Sequence, residues 1–224
     1  MNKRAPLTSL ISRSLNRAYT TVAPIFIFSM LFFISSDCAI ATEMATPSVG
    51  ILARATLKSA TGNIDIIKIQ HDDGIYLEAT ATPGKKFWTS DNLGSEDKNF
   101  IIGGASATLA IRDIDGDGRD EIVTAAFYGP DASGLYVYRF MDMKTGFVPI
   151  ANYSDTGDSE MNFFVSDIRQ ESGEDMVINN DGTVRIMGKI YSDNGNTPPM
   201  PGYYYYKLKD ARYRLFKTEK IPGN

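Results

Sequence analysis

The sequence predicts an all-β domain, built either from propeller-like units in a partial or small β-propeller or as a compact β-sandwich. Three observations support this class. Residues 42–224 contain short runs rich in β-branched and aromatic residues, Asp-, Asn- and Gly-containing turns separate the runs, and no amphipathic helical pattern interrupts them. The runs make thirteen strands, about three four-stranded units, whereas a closed propeller typically has 4–8 blades. Both architectures therefore stay open.

Each predicted strand ends where the sequence permits a tight turn. Clear turn signals lie at residues 71–74, 131–134, 144–146 and 179–182, and each of them ends in glycine. In chain order, the predicted strands are 49–57, 64–70, 75–81, 86–89, 108–112, 122–127, 135–140, 147–151, 163–168, 176–178, 183–190, 203–209 and 213–217.

Residues 1–41 differ in character from the rest and are predicted to be a secretory signal peptide. Basic residues open this segment, residues 22–34 form an apolar core, and Ala39-Ile40-Ala41 is a small-x-small cleavage site. The core is shorter than the ~20 apolar residues that a spanning helix needs, and an uncleaved anchor is the alternative. Cleavage would leave a single all-β domain, residues 42–224, in the periplasm or outside the cell.

Charge and cysteine content narrow the class of partner. The chain has 23 basic and 27 acidic residues, of which the leader holds four and one, so that 19 and 26 remain and the net charge becomes −7. Nucleic acids and anionic membranes both require a basic face, so we expect neither as a partner after signal cleavage. The only cysteine, Cys38, lies in the leader, which leaves the exported chain without disulfides or thiol chemistry.

The strongest chemical signal is a nine-residue loop that begins at Asp113 and reads Asp-Ile-Asp-Gly-Asp-Gly-Arg-Asp-Glu. Asp113, Asp115 and Asp117 are spaced by two, and the glycines between them permit a tight turn that aims the three carboxylates at one point. Arg119 can add its backbone carbonyl, and Glu121 can close the ring with both oxygens. Such an oxygen-only site suits Ca²⁺, which takes about 6–8 oxygen ligands.

An EF-hand and an acidic surface turn without metal are the two other interpretations of this loop. An EF-hand would need its closing Glu at the twelfth position, which Thr124 occupies, so the helix-loop-helix reading fails. An acidic surface turn without metal uses the same residue types, because Asp and Gly are ordinary turn residues. We expect the calcium to be structural rather than catalytic, because oxygen-only loops of this kind hold backbone in place.

The loop and its flanks resemble an FG-GAP or VCBS repeat, the integrin-type calcium-loop unit of β-propellers. The resemblance covers about thirty residues: Ala107-Thr-Leu-Ala-Ile-Arg precedes the loop, and Ile-Val-Thr-Ala-Ala-Phe-Tyr-Gly-Pro follows it. It implies the same metal ligands: Asp113, Asp115, Asp117, Glu121 and the Arg119 carbonyl. The family more often has Asp where Glu121 stands. These repeats serve adhesion, ligand binding and accessory roles in enzymes, so the resemblance does not fix a function.

A second, degenerate copy is predicted 54 residues later, which divides the domain into a calcium-loop repeat at about 100–153 and a degenerate repeat at about 154–224. Its loop runs from Asp167 to Asp175 and has Arg169 where a ligand is needed. A guanidinium cannot bind a cation but can pair with carboxylates. Our hypothesis is that Arg169 replaces the metal by pairing with Asp167, Glu171 or Asp175. Coincidence between two strand-loop-strand segments is the alternative.

Two classes of function follow. The first is a calcium-stabilised module that binds an unidentified protein or glycan, with inhibition of an envelope enzyme as one form of it. The second is a metal-dependent hydrolase that uses carboxylates and calcium. We favour the module, because the single histidine, His71, lies in a predicted turn and the sequence shows no catalytic or cofactor-binding set. Residues 203–206, four tyrosines, are predicted to face alternately inward and outward, and exposed tyrosines suit contact with proteins or sugars.

Overall fold

The residues that the structure describes form eighteen strands and no helix. This computed structural model describes residues 50–153, 160–191 and 198–222, all within one unit of residues 44–224, and the predicted signal peptide lies outside them. The predicted all-β class is confirmed for the described residues. The strands are β1 (Gly50–Ser59), β2 (Gly62–His71), β3 (Gly74–Ala81), β4 (Lys85–Thr89), β5 (Glu96–Asp97), β6 (Phe100–Ile102), β7 (Ala105–Ala107), β8 (Leu109–Arg112), β9 (Glu121–Phe127), β10 (Ser133–Asp142), β11 (Gly146–Pro149), β12 (Asn152–Tyr153), β13 (Glu160–Met161), β14 (Phe164–Ser166), β15 (Met176–Ile178), β16 (Val184–Ile190), β17 (Met200–Lys209) and β18 (Arg212–Lys220).

The strands form three sheets, none of which closes on itself. The N-terminal sheet contains β1 to β4. The middle sheet contains β5, β8 to β11 and β14, and the C-terminal sheet contains the remaining eight strands. Each sheet includes one antiparallel meander of four consecutive strands: β1–β4, β8–β11 and β15–β18. The described chain therefore repeats one four-stranded pattern three times.

The middle sheet is covered on both faces, which explains the apolar run in β9. Every residue of β9 is buried. Val123 and Ala125 point into a core shared with the C-terminal sheet, whereas Ile122 and Ala126 point into a core shared with the N-terminal sheet. Side chains alternate along a strand, so a strand between two cores must be apolar on both sides. The acidic loop, residues 113–120, leads directly into β9.

The tyrosines of the C-terminal sheet are more evenly covered than the sequence predicts. Tyr203 to Tyr206 on β17 are all half-buried. Tyr206 packs against the core shared with the middle sheet, whereas the rings of Tyr203 and Tyr205 contact each other on the opposite face. Two cations account for the covered outer rings: the Arg185 guanidinium lies 4.7 Å from the Tyr203 ring centre, and the Lys217 ammonium lies 4.7 Å from that of Tyr205. The register shift opposite Tyr205 and Tyr206 leaves Phe216 of β18 without a partner on β17, so β17 itself keeps its alternation.

Two fully buried lysines connect neighbouring sheets. Lys68 lies on the inward face of β2, and its ammonium group reaches the Asp97 carboxylate at 2.5 Å and the Ala125 carbonyl oxygen at 2.6 Å, both in the middle sheet. Burial lowers the pKa of Lys68, and Asp97 opposes that shift. Lys98 pairs with the fully buried Asp175, at 2.8 Å, beside the C-terminal sheet. Pairing and hydrogen bonding offset the cost of burying these charges between the sheets.

Candidate metal centre

The acidic loop is the connection of a β-hairpin in the middle sheet. It runs between β8 and β9, which pair antiparallel with Arg112 opposite Glu121. Both strands pack against buried apolar residues, so the two ends of the loop are held in place. Loop residues 113–120 bridge these fixed ends and are only partly covered by protein. The sequence prediction that a strand follows the loop is confirmed.

The three predicted aspartate ligands converge. Oxygens of Asp113, Asp115 and Asp117 all lie within 4.8 Å of one another. Gly116 and Gly118 adopt φ angles of +76° and +84°, a left-handed conformation that side chains oppose. Their N–H groups donate to the two oxygens of Asp113, at 2.7 and 2.9 Å. The glycines thus turn the backbone and fix the first carboxylate.

Backbone N–H groups also orient the other aspartates. Asp115 accepts from the N–H of Asp117 at 3.0 Å, and Asp117 accepts from the N–H of Arg119 at 2.8 Å. Partial desolvation acts to raise the pKa of Asp113, but the N–H groups of the two loop glycines outweigh it and hold the pKa below its usual value. The first carboxylate therefore stays ionised at neutral pH, as a hard cation requires.

Glu121 lies deeper than the aspartates and outside their 4.8 Å group. Its side chain is fully buried, one oxygen accepts the N–H of Ile114 at 3.2 Å, and the other accepts Nε of Arg139 at 3.2 Å. Burial raises the pKa of Glu121 to about 7, against the effect of the Ile114 N–H, and Asp115 adds to the rise whereas Arg139 opposes it. That Glu121 and the Arg119 carbonyl complete the set of calcium ligands stays a prediction.

Arg139 is the residue of this centre that the sequence did not point to. It lies on β10 directly opposite Glu121, and its guanidinium also pairs with Asp115. One cation is therefore shared between two of the predicted ligands. The register of the β9–β10 hairpin could have identified it, because counting back from the turn places Arg139 across from Glu121.

The donor set fits a hard divalent cation. Three convergent carboxylates and a nearby fourth, Glu121, have one ion-pair partner within the described residues, Arg139. Carboxylate oxygens at this density are the ligands that Ca²⁺ prefers. Within the described ranges, the three aspartates are the only group of acidic, histidine or cysteine side chains close enough together to hold a metal ion.

In the second loop, residues 167–175, basic side chains of the protein pair with carboxylates. Arg169 pairs with Glu171 at 2.9 Å, as one of the predicted alternatives has it, and with Glu96 at 2.9 Å, which was not foreseen. The predicted partner Asp175 instead pairs with Lys98. Asp167 accepts a backbone N–H at 2.7 Å, from Lys189. The two loops also differ in strand pairing, because β14 before the second loop pairs with β10, whereas β8 before the first pairs with β9.

Comparisons with protein families, with curated proteins and with solved structures found no match to this chain. The resemblance of the acidic loop to FG-GAP and VCBS repeats therefore stays a prediction from its residues. His71, predicted to lie in a solvated turn, is the last residue of β2, half-buried, and packs edge-on against Tyr76 with ring centroids 5.4 Å apart. No helix in residues 50–153, 160–191 or 198–222 is long and apolar enough to cross a membrane.

Proposed function

We propose that this protein is an exported, calcium-binding β-domain of the FG-GAP and VCBS type that acts as a binding module for a protein or a glycan, with calcium in a structural role. The observation that carries the proposal is the convergence of Asp113, Asp115 and Asp117 within 4.8 Å around two left-handed glycines. The acidic chain that would remain after signal cleavage supports a protein or glycan partner over nucleic acid.

A structural role for calcium follows from where the loop lies. It joins β8 to β9, and β9 separates the two cores of the described domain. Repulsion among the aspartates would pull the loop open, and opening would strain the first residues of β9. A bound cation would remove this repulsion and hold the hairpin shut. The resulting rigidity would be transmitted to both neighbouring sheets.

The three four-stranded meanders support a propeller-like arrangement of small blades. In such a fold each blade is a four-stranded antiparallel sheet, and neighbouring blades pack face to face. The meanders β1–β4, β8–β11 and β15–β18 have this strand order, and both cores lie between neighbouring sheets. A partial or small propeller and a layered sandwich both fit this arrangement, and the calcium loop occupies the same place in either.

Replacement of Asp117 by asparagine tests the calcium site. Asp117 is exposed, and asparagine can still accept the N–H of Arg119, so the loop conformation is preserved while one ligand charge is lost. Asp120→Asn is the matched control, because it removes an equal charge from the same loop outside the convergent group. Isothermal titration with CaCl₂ gives the affinity, and melting curves in calcium and in EGTA give the stabilisation.

We expect wild type to bind Ca²⁺ and to melt at a higher temperature in calcium than in EGTA. At 100 times Kd, a ligand that binds only the folded state stabilises it by about 2.7 kcal/mol. Asp117→Asn should weaken calcium binding roughly tenfold or more, since ligand charge tunes the affinity of such sites, whereas Asp120→Asn should stay near wild type. Absence of calcium heat in wild type, or equal effects of the two variants, would contradict the proposal.

A further inference from the structure

A half-open cleft lined by aromatic rings lies between the N-terminal and middle sheets, away from the acidic loop. Its volume is about 280 Å³, at the lower end of the roughly 300–1,000 Å³ range of ligand sites. This size suits one or two small rings rather than a long chain. Its lining combines rings with polar groups: Trp88, Tyr136, Tyr138, Phe163, Asp91 and Asn162.

The rings form a continuous wall. Tyr136 lies nearly parallel to Tyr138, with 7° between the ring planes and centroids 6.4 Å apart, and it stacks on Phe163 at 5.0 Å. Trp88 meets Tyr138 edge to face at 5.5 Å. Trp88 is half-buried and packs against the core shared by the N-terminal and middle sheets, with part of its surface left to the cleft.

The hydroxyl group of Tyr138 is without a hydrogen-bond partner in the described part of the chain. Its side chain is 6 % exposed, and among the described residues its oxygen has no hydrogen-bond partner, although the neighbouring Tyr136 hydroxyl donates to the Leu93 carbonyl at 2.6 Å. In those residues, Arg185 Nε is the only fully buried side-chain polar atom without a partner. The Tyr138 oxygen must therefore reach solvent, and the cleft is the space that it lines.

The rim that faces the aromatic wall is pre-formed. Ser90 and Leu93 hydrogen-bond to the backbone of β3, at 3.0 and 2.9 Å. Asn92 spans the turn, donating to the Asp73 carbonyl and accepting the N–H of Gly94. Asp91 and Asn162, both exposed at the rim, make no side-chain hydrogen bond within the described residues. The backbone that carries Asp91 is therefore held in place, and the carboxylate of Asp91 and the amide of Asn162 are free to bind a ligand.

We propose that this cleft binds a neutral sugar ring, with the half-buried rings of Trp88 and Phe163 against its C–H face and with Tyr138, Asp91 and Asn162 on its hydroxyls. A pyranose offers the same two properties as the cleft: an apolar face and a rim of hydrogen-bonding groups. Burial raises the pKa of Tyr138, so its hydroxyl stays a donor. Asp91 would repel an acidic sugar. This inference rests on the proposed binding module and names the ligand class and its location.

The single tryptophan of the chain, Trp88, makes the test specific. The full protein is titrated with the methyl glycosides of glucose, galactose, mannose and N-acetylglucosamine, and with glucuronic acid, while tryptophan fluorescence is recorded. We expect a saturable change with at least one neutral glycoside and a weaker one, or none, with glucuronic acid. Tyr138→Phe should weaken that binding roughly three- to tenfold, the effect of one hydrogen bond, and should leave the melting temperature unchanged or raised.

Tyr128→Phe is the matched control, because Tyr128 contacts Phe163 but does not line the cleft. It removes the same atom and should leave glycoside affinity unchanged. No saturable response to any neutral glycoside, or equal losses in the two variants, would overturn the inference. Calcium binding, measured separately by isothermal titration, distinguishes the two proposals: heat with calcium but no glycoside response refutes only the sugar site, and the reverse result refutes only the calcium site.

Discussion

Arg139→Gln gives the sharpest test of the electrostatics of the metal centre. The guanidinium of Arg139 contacts Asp115 and Glu121, two predicted calcium ligands. Without a metal it offsets part of their charge, and with a metal it repels the ion. Glutamine keeps a hydrogen-bond donor and removes the charge. We therefore expect the variant to bind Ca²⁺ more tightly than wild type and to be less stable without it.

The magnitude follows from Coulomb's law. Because Arg139 touches one of the three convergent aspartates, its charge would lie roughly 6 Å from an ion held among them, which gives a repulsion of about 1.4 kcal/mol with the dielectric constant of water and more at lower values. That energy corresponds to at least about tenfold in affinity. In the absence of calcium, Glu121 loses its cation. Since the Arg139 side chain is itself 18 % exposed, we expect the free energy of unfolding without calcium to fall by about 1–3 kcal/mol. This loss is smaller than the roughly 3–5 kcal/mol for breaking a fully buried pair.

Isothermal titration with CaCl₂ and urea unfolding in EGTA measure the two effects. Arg119→Gln is the control: it removes the same charge from the loop, but the Arg119 side chain is exposed and makes no ion pair within the described residues. Its effect on calcium affinity should be about twofold or less because water and salt screen it. Calcium affinity that stays constant or falls in Arg139→Gln would refute the assignment of Arg139 as a competing cation.

Two further predictions concern the loops. Lys98→Met should destabilise the protein by about 3–5 kcal/mol, because it leaves the buried Asp175 unpaired. Arg169→Gln should lower the free energy of unfolding by less than about 1 kcal/mol, because the partners of Arg169 are exposed. Urea unfolding compares the two variants, and equal losses of stability would disprove the roles assigned to the two basic residues. Gly118→Ala, at φ +84° with open space around its Cβ, should cost about 1–2 kcal/mol and weaken calcium binding. Gly129→Ala is its control, because Gly129 does not have a positive φ. If thermal unfolding and calcium titration show equal losses of stability and of calcium affinity in the two variants, backbone strain at position 118 is not the cause.

The sequence predicted every strand whose pattern was long enough to read. Each of the thirteen predicted strands overlaps an observed one, and the five strands that were missed are two or three residues long. Alternation cannot be recognised over so few residues. β6, for example, pairs with β7 in a hairpin of only three residues a side, and it pairs parallel with β15, about 75 residues further along the chain. The second pairing is a tertiary contact that no local pattern indicates.

In the metal centre, too, the sequence predicted what depends on neighbouring residues and missed what depends on distant ones. The convergence of the three aspartates comes from spacing within five residues, so local chemistry was enough to predict it. Arg139 and Lys98 come from other strands or connections, and only the registers of the sheets bring them to the loops. The prediction for Arg169 was correct for Glu171 and missed Lys98, because a lysine 77 residues before Asp175 gives no local signal.

Charge balance explains why one loop would need a metal and the other would not. In both loops the ninth residue, Glu121 or Asp175, is fully buried and paired with a basic side chain from elsewhere in the chain. In the second loop Lys98 pairs with Asp175, and Arg169 pairs with Glu171. Asp167 and Glu174 make no ion pair among the described residues, but they do not belong to a convergent group of carboxylates. In the first loop Arg139 pairs with Glu121 and with Asp115, so Asp113 and Asp117 of the convergent group have no ion-pair partner among the described residues. A divalent cation is the simplest species that offsets the remaining charge at that point, and this surplus is what the two calcium-site variants are designed to measure.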